Sequence, residues 1–130
     1  MSVPTAPVTW GTKSLSRLMA EVDTYCKDLG WRDPEHPASF GDRMAMLHSE
    51  VSEAVEAYRV WGTDDHTHTP PVSALSYGPP KPEGLGSEFA DVLIRLLDDC
   101  AVYGIDLEAE YERKMAYNRT RSYRHGGKAL

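Results

Sequence analysis

Apolar residues recur at spacings of three and four along the segment from about residue 39 to Trp61, and this periodicity restricts the fold more than any other feature. The residues of the stripe are Met44, Leu47, Val51, Ala54, Val55 and Tyr58. A stripe with this period lies along one face of an amphipathic α-helix, which has to bury it against a partner. Three further segments have the same helical character. Because there is no strand pattern and no internal repeat, the sequence predicts an all-α fold.

Residues that start and stop helices place four predicted helices along the chain. Ser and Asp side chains cap helix N-termini, and glycine is common just past a helix C-terminus. On these signals the helices run from Ser14 or Ser16 to about Leu29, from Ser39 or Gly41 to Trp61, from residues 84–87 to Gly104, and from Asp106 to about Thr120. The third helix has the broadest apolar face, so we expect it to be the most buried.

The segments outside these helices complete the domain organisation that we predict. One helical domain covers residues 14–120, after a loose lead-in at 1–13 and before a basic tail at 121–130. The segment 62–84 has 23 residues rich in Pro, Thr, His, Asp and Gly, which is long for a simple connection in a compact domain.

Two pairs of acidic residues lie on the second and third predicted helices. Glu50 and Glu53 form the first pair, and Glu88 and Asp91 form the second. Residues three apart lie about 60° apart around a helix, so the members of each pair repel each other unless a positive charge lies between them. The same spacing is also common on solvated helices. The residues alone therefore favour equally a solvated surface and a carboxylate site for a hard cation such as Mg²⁺. A di-iron bundle would need Glu-x-x-His motifs, which the sequence lacks.

Charge and cysteine usage exclude several classes of protein. The net charge of −6 is a poor match to general nucleic-acid binding, although residues 113–130 hold six Lys or Arg and no acid. With no signal sequence and no apolar run of about 18 residues, we expect a cytoplasmic protein without a membrane partner. Cys26 and Cys100 match no CxxC or zinc spacing, so we expect free, buried thiols.

Taken in order, these motifs resemble the MazG-like family of all-α nucleoside triphosphate pyrophosphohydrolases. A long loop separates the two acid pairs, and further similar segments are Lys81-Pro82-Glu83-Gly84-Leu85, Leu93-Ile94-Arg95-Leu96-Leu97-Asp98, residues 114–121 and residues 123–128. The resemblance covers about residues 14–128, and its specificity lies in the order of the motifs. It implies a four-to-five-helix bundle that packs across a homo-oligomer interface, in a homodimer or a homotetramer. In such an assembly the 62–84 loop would be either a lid or a contact between subunits.

The resemblance also implies an activity and a set of site residues. The family hydrolyses nucleoside triphosphates to a monophosphate and pyrophosphate, a reaction that cleans the nucleotide pool. Glu50, Glu53, Glu88 and Asp91 would hold Mg²⁺, or Mn²⁺ in its place, and Glu53 would act as the base toward the attacking water. Side chains near the C-terminus would contact the nucleotide and its phosphates: Lys114, Asn118 and Arg121, with Arg119 and Arg124 as further candidates.

Several assignments stay open at this level. The family's first motif often begins with a doubled acid, but Ser49 precedes Glu50 here, so Glu56 either replaces the missing ligand or is a surface residue. Asp98 either orients a metal ligand or pairs with Arg95. The nucleobase is not specified, although aromatic residues are available to stack on it: Trp31, Tyr58, Trp61 and Tyr117.

Two other functions are compatible with the sequence. One is a regulatory helical module that binds nucleotide or metal without turnover, and the other is a structural oligomer whose acids are merely solvated. The four acids argue against the regulatory module, because a degenerate module has no need to hold four like charges together.

Overall fold

The computed structural model describes residues 11–64, 66–71 and 78–121, and within these ranges it consists of four α-helices packed together. They are α1 (Leu15–Asp28), α2 (Phe40–Trp61), α3 (Leu85–Tyr103) and α4 (Leu107–Arg119). The described residues contain no β-strand, so the all-α prediction is confirmed. Residues 1–10 of the lead-in and 122–130 of the tail, including Arg124, lie outside the described residues.

Local capping explains why the helix boundaries follow the predicted ones. The Ser14 hydroxyl accepts a hydrogen bond of 3.1 Å from the Arg17 amide at the start of α1. Ser39 and Asp42 exchange side chain-to-backbone hydrogen bonds in a capping box that begins α2. Asp106 caps α4. Each cap contributes about 1 kcal/mol and depends only on residues close in sequence, which is why these starts are readable from sequence.

Helix α3 is the centre of the packing. It contacts both α1 and α2, whereas α4 contacts α1, where the Ser16 hydroxyl donates a hydrogen bond of 2.6 Å to Glu108. As predicted, α3 has the most buried residues of the four helices. The buried apolar core is small: Cys26, Ala54, Ala57, Leu97 and Cys100. Both cysteines are free, as expected. Within the described residues, no helix has the length and apolar character needed to cross a membrane.

Large apolar side chains on α2 and α3 remain exposed in the single chain. Phe89 and Tyr58 are each 57% exposed. They belong to an apolar groove, called here the α2–α3 groove, whose lining residues are Val51, Ala54, Val55, Tyr58, Leu85 and Phe89. The stripe that predicts α2 is therefore only partly covered within one chain.

The long loop between α2 and α3 is closed at its base. His68 and Glu83 form an isolated antiparallel bridge with two backbone hydrogen bonds of 2.8 Å. The His66 carbonyl accepts hydrogen bonds from the Gly86 and Ser87 amides, at 2.7 and 3.3 Å. These bonds occupy free amides at the start of α3, where no side chain caps the helix. A Cβ at Gly86 would lie 2.8 Å from the His66 carbonyl oxygen, so the close approach requires glycine.

Candidate metal centre

The two acid pairs predicted from sequence meet where α2 packs against α3. Glu50, Glu53 and Glu88 each place one carboxylate oxygen within 4.8 Å of the other two. Two oxygens bound to one Mg²⁺ lie up to about 4.2 Å apart, so small side-chain movements bring all three within reach of one ion. Asp91 lies one turn beyond Glu88 and lines the same cavity as Glu50 and Glu53. All four acids therefore belong to one site, here called the carboxylate cluster.

The carboxylate cluster includes a buried oxygen that lacks compensation. Glu88 is only 6% exposed and Glu50 only 8%. The Oε2 atom of Glu88 is buried and has no hydrogen-bond partner among the described residues. A buried, unpaired carboxylate oxygen is costly, and a cation is the usual compensation. Since all the donors are carboxylate oxygens, the residues fit a hard ion such as Mg²⁺ or Mn²⁺.

The electrostatics of the cluster agree with this geometry. Burial raises the pKa of Glu88, and the charges of Glu53, Asp91 and Glu50 raise it further, while Lys81 partly offsets the increase. Burial also raises the pKa of Asp91, and Glu50 and Glu53 add to that increase against the charges of Lys81 and Arg95. The neighbouring acids thus make Glu88 and Asp91 harder to ionise, which is the condition that a bound cation relieves.

An open cavity of about 320 Å³ lies beside the cluster. It is lined by two cations, Lys81 and Arg95, by aromatic and apolar side chains, and by acids. The lining residues are Tyr25, Cys26, Trp31, Glu50, Glu53, Lys81, Asp91, Ile94, Arg95 and Asp98. Its volume is at the lower end of the range for small-molecule sites, about 300–1,000 Å³.

A second charged group, here called the arginine network, is built around Asp98, which also lines this cavity. Arg43 of α2 donates to Asp98 at 3.0 Å and to Asp99 at 3.1 Å, and Arg32 donates to Asp98 at 2.7 Å. Arg32 also pairs with Asp23 of α1. Burial opposes ionisation of Asp98, but hydrogen bonds from Arg32 and Arg43 outweigh it and lower the pKa of this carboxyl. Of the two alternatives for Asp98, pairing with Arg95 is not what the structure has, because Arg95 donates to Glu50 at 2.8 Å.

The aromatic candidates for base stacking lie in different places. Trp31 lines the cavity and is 62% exposed, so its ring is available to a ligand there. Trp61 instead packs edge-on against His68, with ring centroids 4.8 Å apart. Tyr117 lies on α4, where the Lys114 ammonium sits 5.4 Å from its ring centroid. Tyr58 lines the α2–α3 groove.

The predicted phosphate contacts of α4 are not part of this cavity within one chain. Lys114, Asn118, Arg119 and Arg121 are exposed. Among the described residues, none of those lining the cavity comes from α4. Glu56 is also exposed, lies outside the cavity lining, and pairs with Arg59 at 3.8 Å.

Five residues of the cavity lining had no site role in the predictions from sequence: Tyr25, Cys26, Lys81, Ile94 and Arg95. Lys81, Ile94 and Arg95 stood only within the motifs that resemble the family, and Cys26 was expected only to be a buried thiol. Arg95 is nevertheless a charge within the apolar run of α3. An isolated charge inside a buried helical face is a usable signal, because such a residue needs a partner.

Comparison of the chain with protein-family models, with curated proteins and with solved structures found no match.

Proposed function

We propose that this protein is a Mg²⁺-dependent nucleoside triphosphate pyrophosphohydrolase. The observation that carries the proposal is the unpaired, buried Oε2 atom of Glu88, in a residue whose carboxylate lies close to those of Glu50 and Glu53. The adjacent cavity also contains two cationic side chains and an exposed tryptophan. Acids alone fit a cation site. The added cations and Trp31 suit a ligand with phosphates at one end and an aromatic base at the other.

Each group in the cavity has a role in this proposal. Glu50, Glu53, Glu88 and Asp91 hold Mg²⁺, with Mn²⁺ as a substitute. When bound, the ion neutralises phosphate oxygens and lowers the pKa of water at the site. Glu50, Glu53 and Glu88, whose oxygens lie within 4.8 Å of one another, are here called the three-oxygen group. Glu53 is the most exposed of the three, so its carboxylate is accessible to accept a proton from water. The water oxygen bonds to the α phosphorus as the bond from that phosphorus to the α–β bridging oxygen breaks, which yields a nucleoside monophosphate and pyrophosphate.

The proposal includes a homo-oligomer. The exposed α2–α3 groove has an apolar lining that a second copy would bury, in a dimer or a tetramer. In such an assembly a neighbouring subunit supplies further phosphate contacts from α4 through Lys114, Asn118 and Arg119. The segment after α4 supplies Arg121, and Arg124 beyond the described residues. This arrangement accounts for exposed basic residues that do not reach the cavity of their own chain.

The test is incubation with a panel of canonical and modified ribo- and deoxyribonucleoside triphosphates in the presence of Mg²⁺. We expect release of pyrophosphate, and no orthophosphate, with at least one of them. Glu53→Gln should abolish turnover while nucleotide binding persists, and Glu56→Gln, one helical turn away and outside the cavity, serves as the matched control. Nucleotide binding without any turnover would instead identify a regulatory module. If the protein neither binds nor hydrolyses any nucleotide, the remaining alternative is a structural oligomer.

A further inference from the structure

Two cationic side chains line the same cavity as the carboxylate cluster. Both belong to the same chain as the cluster, and neither lies on α4. Lys81 extends from the base of the long loop, and Arg95 extends from α3 one turn beyond Asp91. A site that binds only a cation gains nothing from nearby positive charges, since they repel the ion. Their presence indicates that the ligand has an anionic part as well.

The backbone beside Lys81 is held in place. Glu83, two residues later, forms two backbone hydrogen bonds of 2.8 Å with His68. The Pro82 carbonyl accepts a hydrogen bond of 3.1 Å from the Ser87 hydroxyl. Lys81 itself is exposed and forms no salt bridge within 4 Å among the described residues. Its ammonium is close enough to act electrostatically on both Glu88 and Asp91. A fixed backbone with an uncommitted ammonium is what a phosphate contact requires.

Arg95 pairs with a member of the carboxylate cluster through one of its N–H groups. Its Nε atom donates to Glu50 Oε1 at 2.8 Å, and its side chain is 30% exposed toward the cavity. Glu50 is also a member of the three-oxygen group. A metal ion on Glu50 would weaken this ion pair by drawing charge from the carboxylate, and the guanidinium has N–H donors other than Nε. A phosphate oxygen beside the cluster would be a charged acceptor for them.

We propose that Lys81 and Arg95 bind the polyphosphate chain of the substrate from within the same subunit, opposite the metal-binding carboxylates. The inference rests on the proposed function for the identity of the substrate. It differs from the α4 contacts in requiring no neighbouring subunit. It also gives Arg95 two partners, the Glu50 carboxylate through Nε and a phosphate oxygen through its other N–H groups.

The experiment measures two ligands separately by calorimetry: Mn²⁺ first, and then inorganic pyrophosphate added to the Mn²⁺-saturated protein. We expect Lys81→Met and Arg95→Gln each to weaken pyrophosphate binding by about tenfold or more, the scale of one lost charge-assisted hydrogen bond. Mn²⁺ affinity should stay the same or increase, because each change removes a positive charge near the cluster. Lys13→Met is the matched control, since Lys13 pairs with Glu21 at 2.9 Å on the exposed face of α1.

Other outcomes overturn the inference. Pyrophosphate binding at wild-type strength in both variants would show that neither residue contacts phosphate. A parallel loss of Mn²⁺ and pyrophosphate affinity, accompanied by a lower melting temperature, would show that the residues only support the fold.

Turnover assayed in parallel separates the inference from the proposed function. If the wild-type protein releases pyrophosphate from a nucleotide and both variants still bind pyrophosphate as tightly as the wild type, the proposed function holds and the inference is wrong. The expected variant pattern without turnover of any nucleotide leaves the inference standing without the function.

Discussion

Helix α3 carries two acid pairs, and the fold treats them in opposite ways. Glu88 and Asp91 lie in its N-terminal half, in the carboxylate cluster, where burial and neighbouring acids raise the pKa of both. Asp98 and Asp99 lie two turns further on, in the arginine network. Hydrogen bonds from Arg32 and Arg43 overcome burial and lower the pKa of Asp98.

The two pairs differ in the cations that reach them. Two guanidinium groups from the α1–α2 loop and α2 reach the second pair, and they stabilise α3 against its neighbours. Among the described residues, neither Glu88 nor Asp91 forms a salt bridge: Arg95 pairs with Glu50 on α2 instead, and Lys81 acts on Glu88 and Asp91 only at a distance. Carboxylates kept together without compensation reduce stability, so their retention in a buried site favours a binding role.

The largest expected effect comes from breaking the arginine network. Arg43→Met leaves Asp98 and Asp99 without their shared partner, and removing one member of a buried ion pair costs about 3 kcal/mol. Urea or thermal unfolding measures this loss in the free energy of unfolding. The matched control is Arg113→Met, which removes an exposed pair with Glu110 and should leave stability unchanged. Equal effects of the two changes would contradict the structural role of the network.

The next effect comes from supplying the missing charge to the carboxylate cluster. Mg²⁺ or Mn²⁺ at a hundred times its dissociation constant should stabilise the wild-type protein by about 2.7 kcal/mol. Glu88→Gln should lose most of this stabilisation, because it removes a charge from the three-oxygen group. Glu56→Gln should retain it. Thermal unfolding with and without the ion, and with a chelator, measures the difference. An equal response of both variants would show that the ion binds elsewhere.

The smallest effect is a pH dependence of opposite sign in the two clusters. Folding raises the pKa of Glu88, so its ionisation destabilises the protein as pH rises from about 4 through the folded-state pKa. Without metal, Glu88→Gln should therefore raise stability at pH 7 by about 0.5 kcal/mol, the scale of one like-charge helix pair, and the gain should vanish below about pH 4.

Folding lowers the pKa of Asp98, so its contribution is present above about pH 4 and is lost as pH falls through the folded-state value. Asp98→Asn should destabilise the protein at pH 7, with the difference from wild type shrinking in acid. Unfolding curves at several pH values, in the presence of a chelator, measure both slopes. Slopes of the same sign would show that the two acid pairs do not differ in their surroundings.

Sequence was a good guide to the helices and to the acids because both depend on short spacings. Caps such as Ser39 with Asp42 act over three residues. The spacing of Glu50 and Glu53 fixes their common face once α2 forms. The two acid pairs meet only because α2 packs on α3. Helical spacing does not predict that contact, and only the family resemblance led us to expect it.

The cationic partners could not be predicted, because they depend on contacts between distant parts of the chain. Arg95 and Glu50 are 45 residues apart, and Arg32 and Asp98 are 66 apart. No periodicity pairs a particular arginine with a particular acid over such separations. The position of Lys81 depends in addition on how the long loop closes on itself, which no helical or strand pattern indicates.

The bridge between His68 and Glu83 has a consequence for how this protein tolerates change in length. Because His68 and Glu83 join the two ends of the loop at its base, the distance between the end of α2 and the start of α3 does not depend on the number of residues between them. Doubling the length of a closed loop costs only about 0.6 kcal/mol. The segment beyond the bridge is therefore a natural place for insertions, and a sequence inserted there leaves the spacing of the acids on α2 and α3 unaltered.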